Sequence, residues 1–212
     1  PFEGVLNSSI MSFHQQGEKL YSNDEINIKL FGGSITVRDL TLNNFLKSMR
    51  EIGFSAEVNH LDLGQMSNTY REWGNITGII NGHIKDFKLV TREPSSFEIE
   101  IKTEHYPKIK QTVSAKFIKN FVPGVGNVLD KVGFTNYKYE IMGLHALLEN
   151  DYIKLQGAVR KGGKELFMKG AGLKKLDIVF PNIDRRVPFK TFMNSFKGIL
   201  DSDFDDTKLQ FK

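Results

Sequence analysis

Ile76-Thr77-Gly78-Ile79-Ile80-Asn81-Gly82-His83-Ile84 sets apolar residues against polar ones and glycines, and after one turn a second run, Phe97-Glu98-Ile99-Glu100-Ile101-Lys102, alternates strictly. A period of two places one set of side chains on one face of a sheet and the other set on the opposite face. Gly78 and Gly82 add nothing to the apolar face, so the stretch predicts a strand that bends there and leaves a trough. The fold that follows is mainly β: a curved antiparallel meander whose apolar face forms a hydrophobic groove.

Working outward, Ile26-Asn27-Ile28-Lys29-Leu30 and Ile35-Thr36-Val37-Arg38-Asp39-Leu40 read as a hairpin closed by Phe31-Gly32-Gly33-Ser34. Residues 43–53 are ambiguous between helical turn and loop, and 55–61 return to strand. Asp62 stands as the N-cap of a short helix over 62–70, with Leu63, Met66 and Tyr70 on one face. A turn is expected at Arg92-Glu93-Pro94-Ser95-Ser96, a strand over 97–103 and another marked by Val113, Ala115 and Phe117. Pro123 to Leu129 reads as a helical turn. Further strands are expected over 134–141, 152–159, 166–170 and 176–180, joined by turns at 149–151 and 161–164. Short successive connections favour an antiparallel meander. Val187-Pro188 opens an amphipathic C-terminal helix. The domain reading is an N-terminal arm or remnant of preceding structure at 1–20, a β-groove domain at 21–200 and an acidic tail at 201–212.

The 212 residues hold 29 Lys plus Arg against 25 Asp plus Glu, a formal charge of +4, and no cysteine. The mild basic excess is local, in Lys108, Lys110, Lys116 and Lys119 and again in Arg160, Lys161, Lys164, Lys169, Lys174 and Lys175. These are either solvated strand faces or a surface for anionic lipid headgroups. Lack of cysteine removes disulfides, thiolate catalysis and cysteine-bound zinc. No run approaches the roughly 18 apolar residues of a membrane-spanning helix. The start, Pro1-Phe2-Glu3-Gly4, has no initiator Met and no signal-peptide pattern, as expected for a piece of a longer protein.

No catalytic constellation is legible in the sequence. His14, His60, His83, His105 and His145 stand apart, without metal-ligand spacing. Gly124-Val125-Gly126 lacks the third glycine and the strand-turn-helix setting of a dinucleotide fingerprint. Ser95-Ser96 is turn chemistry, and Glu98 and Glu100 beside Lys102 form a solvated strand face. Aromatic residues alternate inward with Ile and Leu, where they build core, so no nucleic acid is expected as a partner. Neither a catalytic residue, nor a metal, nor a cofactor is assigned.

A meander with one continuous apolar face must cover that face or use it. Strand parity assigns Ile76, Ile80, Ile84, Phe97, Ile99, Ile101, Val113, Ala115 and Phe117 to the face, with Phe189, Phe192, Met193 and Phe196 as its lid. The ligand expected there is a phospholipid or another acyl chain. The competing arrangement is a closed core, with an exposed edge strand pairing with an envelope protein.

The succession Leu61-Asp62-Leu63, Gly74 to Ile84, Pro94-Ser95-Ser96-Phe97 and the following strand resembles the C-terminal part of AsmA-like bacterial envelope proteins, relatives of TamB. The likeness continues through Leu155-Gln156-Gly157 and the charged turn 160–164 to the Pro188-Phe189 helix, covering about residues 20 to 200. The resemblance implies a noncatalytic periplasmic protein, anchored in the inner membrane by another part of its chain, whose groove carries phospholipid towards the outer membrane or serves outer-membrane assembly. The remainder of the longer protein and an outer-membrane protein are the further partners it implies.

Overall fold

The computed structural model describes residues 5–8, 12–121, 129, 134–172, 175–179 and 186–200, with side chains as far as residue 194 in the last segment and none for 5–8 or 121. In chain order the strands begin with β1 (Val5–Ser8), β2 (His14–Gln16), β3 (Lys19–Tyr21), β4 (Ile26–Leu30), β5 (Gly33–Asn43) and β6 (Glu51–Asp62). Helix α1 (Leu63–Thr69) leads to β7 (Ile76–Thr77), β8 (Ile79–Val90), β9 (Glu93–Glu104) and β10 (Thr112–Ser114). Helix α2 (Ala115–Phe121) precedes β11 (Asn136–Glu149), β12 (Tyr152–Gly157), β13 (Val159–Lys161), β14 (Lys164–Gly170), β15 (Ile178–Val179), β16 (Val187–Pro188) and helix α3 (Phe189–Leu200). The expected tail, 201–212, and most of the turn at 123–129 lie outside the described residues.

Strands β1, β4, β5, β6, β8, β9 and β11 lie side by side, every neighbouring pair antiparallel. This is the curved antiparallel sheet expected from the alternation. Within the segment 1–20, expected to be an arm or a remnant of preceding structure, residues 5–8, 14–16 and 19–20 contribute to strands of the sheet: β1 pairs with β4, and the β2–β3 hairpin joins β5 through Leu20 opposite Leu42.

Curvature has identifiable causes. The ladder slips between Arg38 and Thr41, between Val58 and Leu61 and between Lys85 and Lys88. Asp39, His60 and Asp86 there take φ of 56°, 57° and 48°. Each slip bends its strand and strengthens the local twist.

Four hairpins close on two residues that both have positive φ: Phe31-Gly32, Thr91-Arg92, Asn150-Asp151 and Gly162-Gly163. The second corrects the expected turn at 92–96. Glu93 to Ser96 already belong to β9, and Thr-Arg is a pair that turn preferences do not flag. A further correction concerns 113–117: β10 stops at Ser114, whose hydroxyl accepts from the Phe117 N–H at 3.1 Å and caps α2, so Ala115 and Phe117 are helical. The Asp62 cap of α1 is as expected, its carboxylate accepting from the N–H groups of Gly64 at 2.7 Å and Gln65 at 3.2 Å.

One edge of β11 is shared. Tyr139 to Met142 pair with β14, and Leu144 to Glu149 pair with β12, so the sheet forks at Gly143. A Cβ at Gly143 would lie 2.7 Å from the Cβ of Ala158 and 2.9 Å from that of Lys102, and only glycine fits the junction.

The fork separates two cores. One packs α1, α2, β7, β10, β14 and β15 together through Ile76, Val113, Ile118, Tyr139 and Met168. The other sets Val187, Phe189 and Phe192 against Phe97, Ala146, Leu148 and Ile153.

Candidate functional site: an apolar groove

Cross-strand pairing turns the alternation into rows that cross the sheet. Ile28, Ile35, Val58, Gly82, Ile101 and Leu144 are direct partners from β4 to β11. Beside them run Ile26, Val37, Ala56, Ile84, Ile99, Ala146 and Leu155. Gly82 apart, every position in both rows is apolar. Five inter-strand steps of roughly 4.8 Å make the first row about 24 Å long.

The row between them on the opposite face is polar throughout: Thr36, Glu57, His83, Glu100, His145 and Gln156. His145 there sits 3.1 Å from Glu98 by Nε2 and 3.3 Å from Gln156 by Nδ1. The hydrogen bond from His145 holds the Glu98 carboxyl below its ordinary range.

The apolar rows are covered unevenly. Over β9, β11 and β12, α3 lies on the face, and a file of phenylalanines links sheet to helix. Phe54 stacks on Phe87 at 4.7 Å, Phe87 on Phe97 at 6.1 Å, and Phe97 meets the edge of Phe189 at 6.2 Å. Over β4 to β6, Ile26, Ile28, Leu30, Ile35, Val37, Leu42 and Phe54 remain half-buried and belong to neither core. An apolar face left in this state is what ligand grooves and interaction surfaces have in common.

At the fork end the groove deepens into a cavity of about 250 Å³, open on one side. Ile80, Ile101 and Leu144 form its floor, and Leu63, Met66, Trp73 and Phe117 from the α1 and α2 segments rise around it. Only apolar surface faces the space. For scale, an apolar cavity of about 150 Å³ stays dry and accepts benzene.

The residues assigned by strand parity divide among these regions. Ile80, Ile84, Ile99 and Ile101 lie half-buried on the inner face, and Ile80 and Ile101 line the cavity. Phe97 is buried beneath α3. Val113 is sealed in the fork-end core at 0% exposure, and Ile76, at 1% exposure in the same core, also contributes to the cavity wall. Ala115 packs at the edge of that core, and Phe117 forms cavity wall from a helix. Phe189 and Phe192 cover the second core, Met193 is half-buried beside them, and the side chain of Phe196 lies outside the described residues.

Two glycines play a different part from the one expected. A Cβ on Gly78 would fall 2.3 Å from the hydroxyl of Tyr139, and one on Gly82 would fall 2.7 Å from Cγ2 of Ile101. Both positions are filled by neighbours, so the trough comes from curvature and not from missing side chains. Sequence reading also passed over Ile26, Ile28, Ile35, Val37, Ala56 and Val58 as groove residues. The first four belong to the expected hairpin and the last two to the expected strand over 55–61, and only the register joins them to β8 and β9.

Among the described residues no cluster of three or more His, Asp or Glu could hold a metal, and no helix is long and apolar enough to cross a membrane. No family model, curated protein or solved structure matches this chain.

Proposed function

We propose that this chain is a noncatalytic β-groove domain that holds acyl chains of phospholipid along its inner face, within the periplasm of a bacterial envelope, and contributes to lipid passage between membranes. The observation that carries the reading is the pair of apolar rows, about 24 Å long, ending in an apolar cavity open on one side. An extended hydrocarbon chain matches such a trough in length and chemistry. The polar row from Thr36 to Gln156 and the ion pairs of Arg38 with Glu25 and Glu57 lie on the other face, so the groove rows hold no groups that would demand a polar ligand. The resemblance to AsmA-like proteins supports the same reading.

The test is native mass spectrometry of protein purified from bacterial cells without detergent, with extraction of whatever is bound. Near-stoichiometric phospholipid is expected, and it should be lost in Ile101→Asp, a residue common to the row and the cavity. Circular dichroism should remain that of a sheet, because Ile101 is half-buried and lies outside both cores. An apo mass that persists after incubation with phospholipid vesicles would overturn the reading in favour of a domain that pairs with a protein through its β1 edge.

A further inference from the structure

Six large apolar side chains are exposed among the described residues, and four of them lie at one end of the sheet. Leu46 and Met49, at 75% and 65% exposure, sit in the connection between β5 and β6. Ile52 follows as the second residue of β6, and Tyr152 opens β12 at the same end. The antiparallel register brings this connection and the β8–β9 turn together, and the Thr91 N–H donates to the Arg50 carbonyl at 3.2 Å. Ile52 lies two residues before Phe54, on the inner face, so the exposed cluster is continuous with the mouth of the groove.

Charge accompanies this cluster. Residues 44–51 and 88–93 hold Lys47, Arg50, Lys88 and Arg92 against Glu51 and Glu93. Lys47 is paired with Glu18 at 2.6 Å, and Glu51 accepts from Asn43. No carboxylate among the described residues pairs with Arg50 or Arg92. Tyr152 follows Asp151 and is paired across its hairpin with Glu149, so carboxylates flank it, while the cations named above lie on the β5–β9 side.

We propose that this end of the sheet docks on an anionic bilayer surface, Leu46 and Met49 entering the boundary between headgroups and acyl chains while Arg50 and Arg92 meet lipid phosphates. Apolar side chains at a loop tip, interleaved with cations, match the two layers that a bilayer presents in succession: charge outside, hydrocarbon beneath. A rim of neighbouring turns also fits an extended surface better than it fits a narrow peptide. The inference stands on the exposed end alone and does not require the groove to hold lipid.

The test is cosedimentation of the whole chain with two kinds of vesicle, pure phosphatidylcholine and phosphatidylcholine mixed three to one with phosphatidylglycerol. Binding is expected to the mixed vesicles and weak or absent on the pure ones. Arg50→Glu and Arg92→Glu should each weaken binding about fivefold or more, and Leu46→Asp with Met49→Asp about tenfold for each side chain withdrawn. These positions are exposed and outside both cores, so the variants should keep their fold by circular dichroism. Val179→Asp, an exposed apolar position away from this end, should leave binding unchanged.

Several results would overturn the proposal: no sedimentation of the parent with either vesicle, full binding by the Leu46 and Met49 double variant, or equal loss on Val179→Asp. Specific capture of a protein by this end without vesicle binding would also replace the bilayer as its partner. Copurified lipid in the native mass spectrum reports the groove separately. Its loss in Ile101→Asp with vesicle binding intact, or the reverse in the double variant, keeps the two readings distinguishable.

Discussion

Gly78 shows how much one missing side chain can position. Its φ of 150° breaks the strand between β7 and β8, and the vacated space admits the Tyr139 hydroxyl, which donates to the Thr77 carbonyl at 2.7 Å. Tyr139 is 2% exposed, and burial raises its phenol well above the ordinary value, so it remains a donor at every physiological pH. Gly78→Ala should therefore cost about 3 kcal/mol, from a strained φ plus a displaced buried hydrogen bond. Tyr139→Phe should cost about 1 to 2 kcal/mol by leaving a carbonyl unsatisfied. Urea denaturation of both single variants and the double should show a cost well below the sum, because each removes the same contact. Additive costs would mean that the two residues act separately. The glycine's importance was legible in the sequence and its reason was not, since the tyrosine that fills the space lies 61 residues further along the chain.

Elements that follow local rules were the ones that could be read in advance. Asp62 capping α1, the Phe31-Gly32 hairpin and the period-two runs of β4, β5, β8 and β9 depend on neighbours within a few residues. Helix α2 did not declare itself, because Val113, Ala115 and Phe117 keep a strand period while Phe117 and Ile118 supply the helical one. Its start rests on Ser114, and Ser114→Ala should cost about 1 kcal/mol, with faster hydrogen exchange in residues 117–121 than elsewhere in the core. Unchanged exchange there would mean that packing of Ile118 alone holds the helix. The β14 to β15 connection has a comparable clasp in Asp177, which accepts from Lys161 at 2.7 Å and from the Gly170 N–H at 3.0 Å. The Lys161 hydrogen bond, then that of Gly170, holds this carboxyl below its ordinary 3.8. A depressed value means that the contribution is present above pH 3.8 and is lost as pH falls through the lower, folded value. Asp177→Asn should be less stable than the parent by about 1 kcal/mol at neutral pH, a figure discounted for partial exposure. That gap should narrow in denaturation series taken to strongly acid pH, and a constant gap would exclude the charge as its source.

For the whole molecule, the outcome of the fold is an asymmetry in cover. Both cores lie on the β9 to β16 side, whereas the face of β4 and β5 is backed by neither. Native-state hydrogen exchange should accordingly find the slowest amides in β9 and β11, with β1 to β5 exchanging through smaller openings. Equal protection across the sheet would indicate that something covers the first strands. The sequence made the sheet and its apolar face legible, but not where that face is covered, because cover depends on which distant segments return to it. Tyr139 and Met168 sit in one core although 29 positions separate them. The fork at Gly143 gives the architecture a direction. On that side the leaving edge is divided in two, and β16 already occupies the β12 branch while β15 occupies the β14 branch. On the other side β1 has one strand partner among the described residues, so a row of main-chain donors and acceptors faces outward. β15 and β16 are two residues long and offer little edge, whereas the four residues of β1 present a template for strand addition, so a groove lengthened there grows away from the fork.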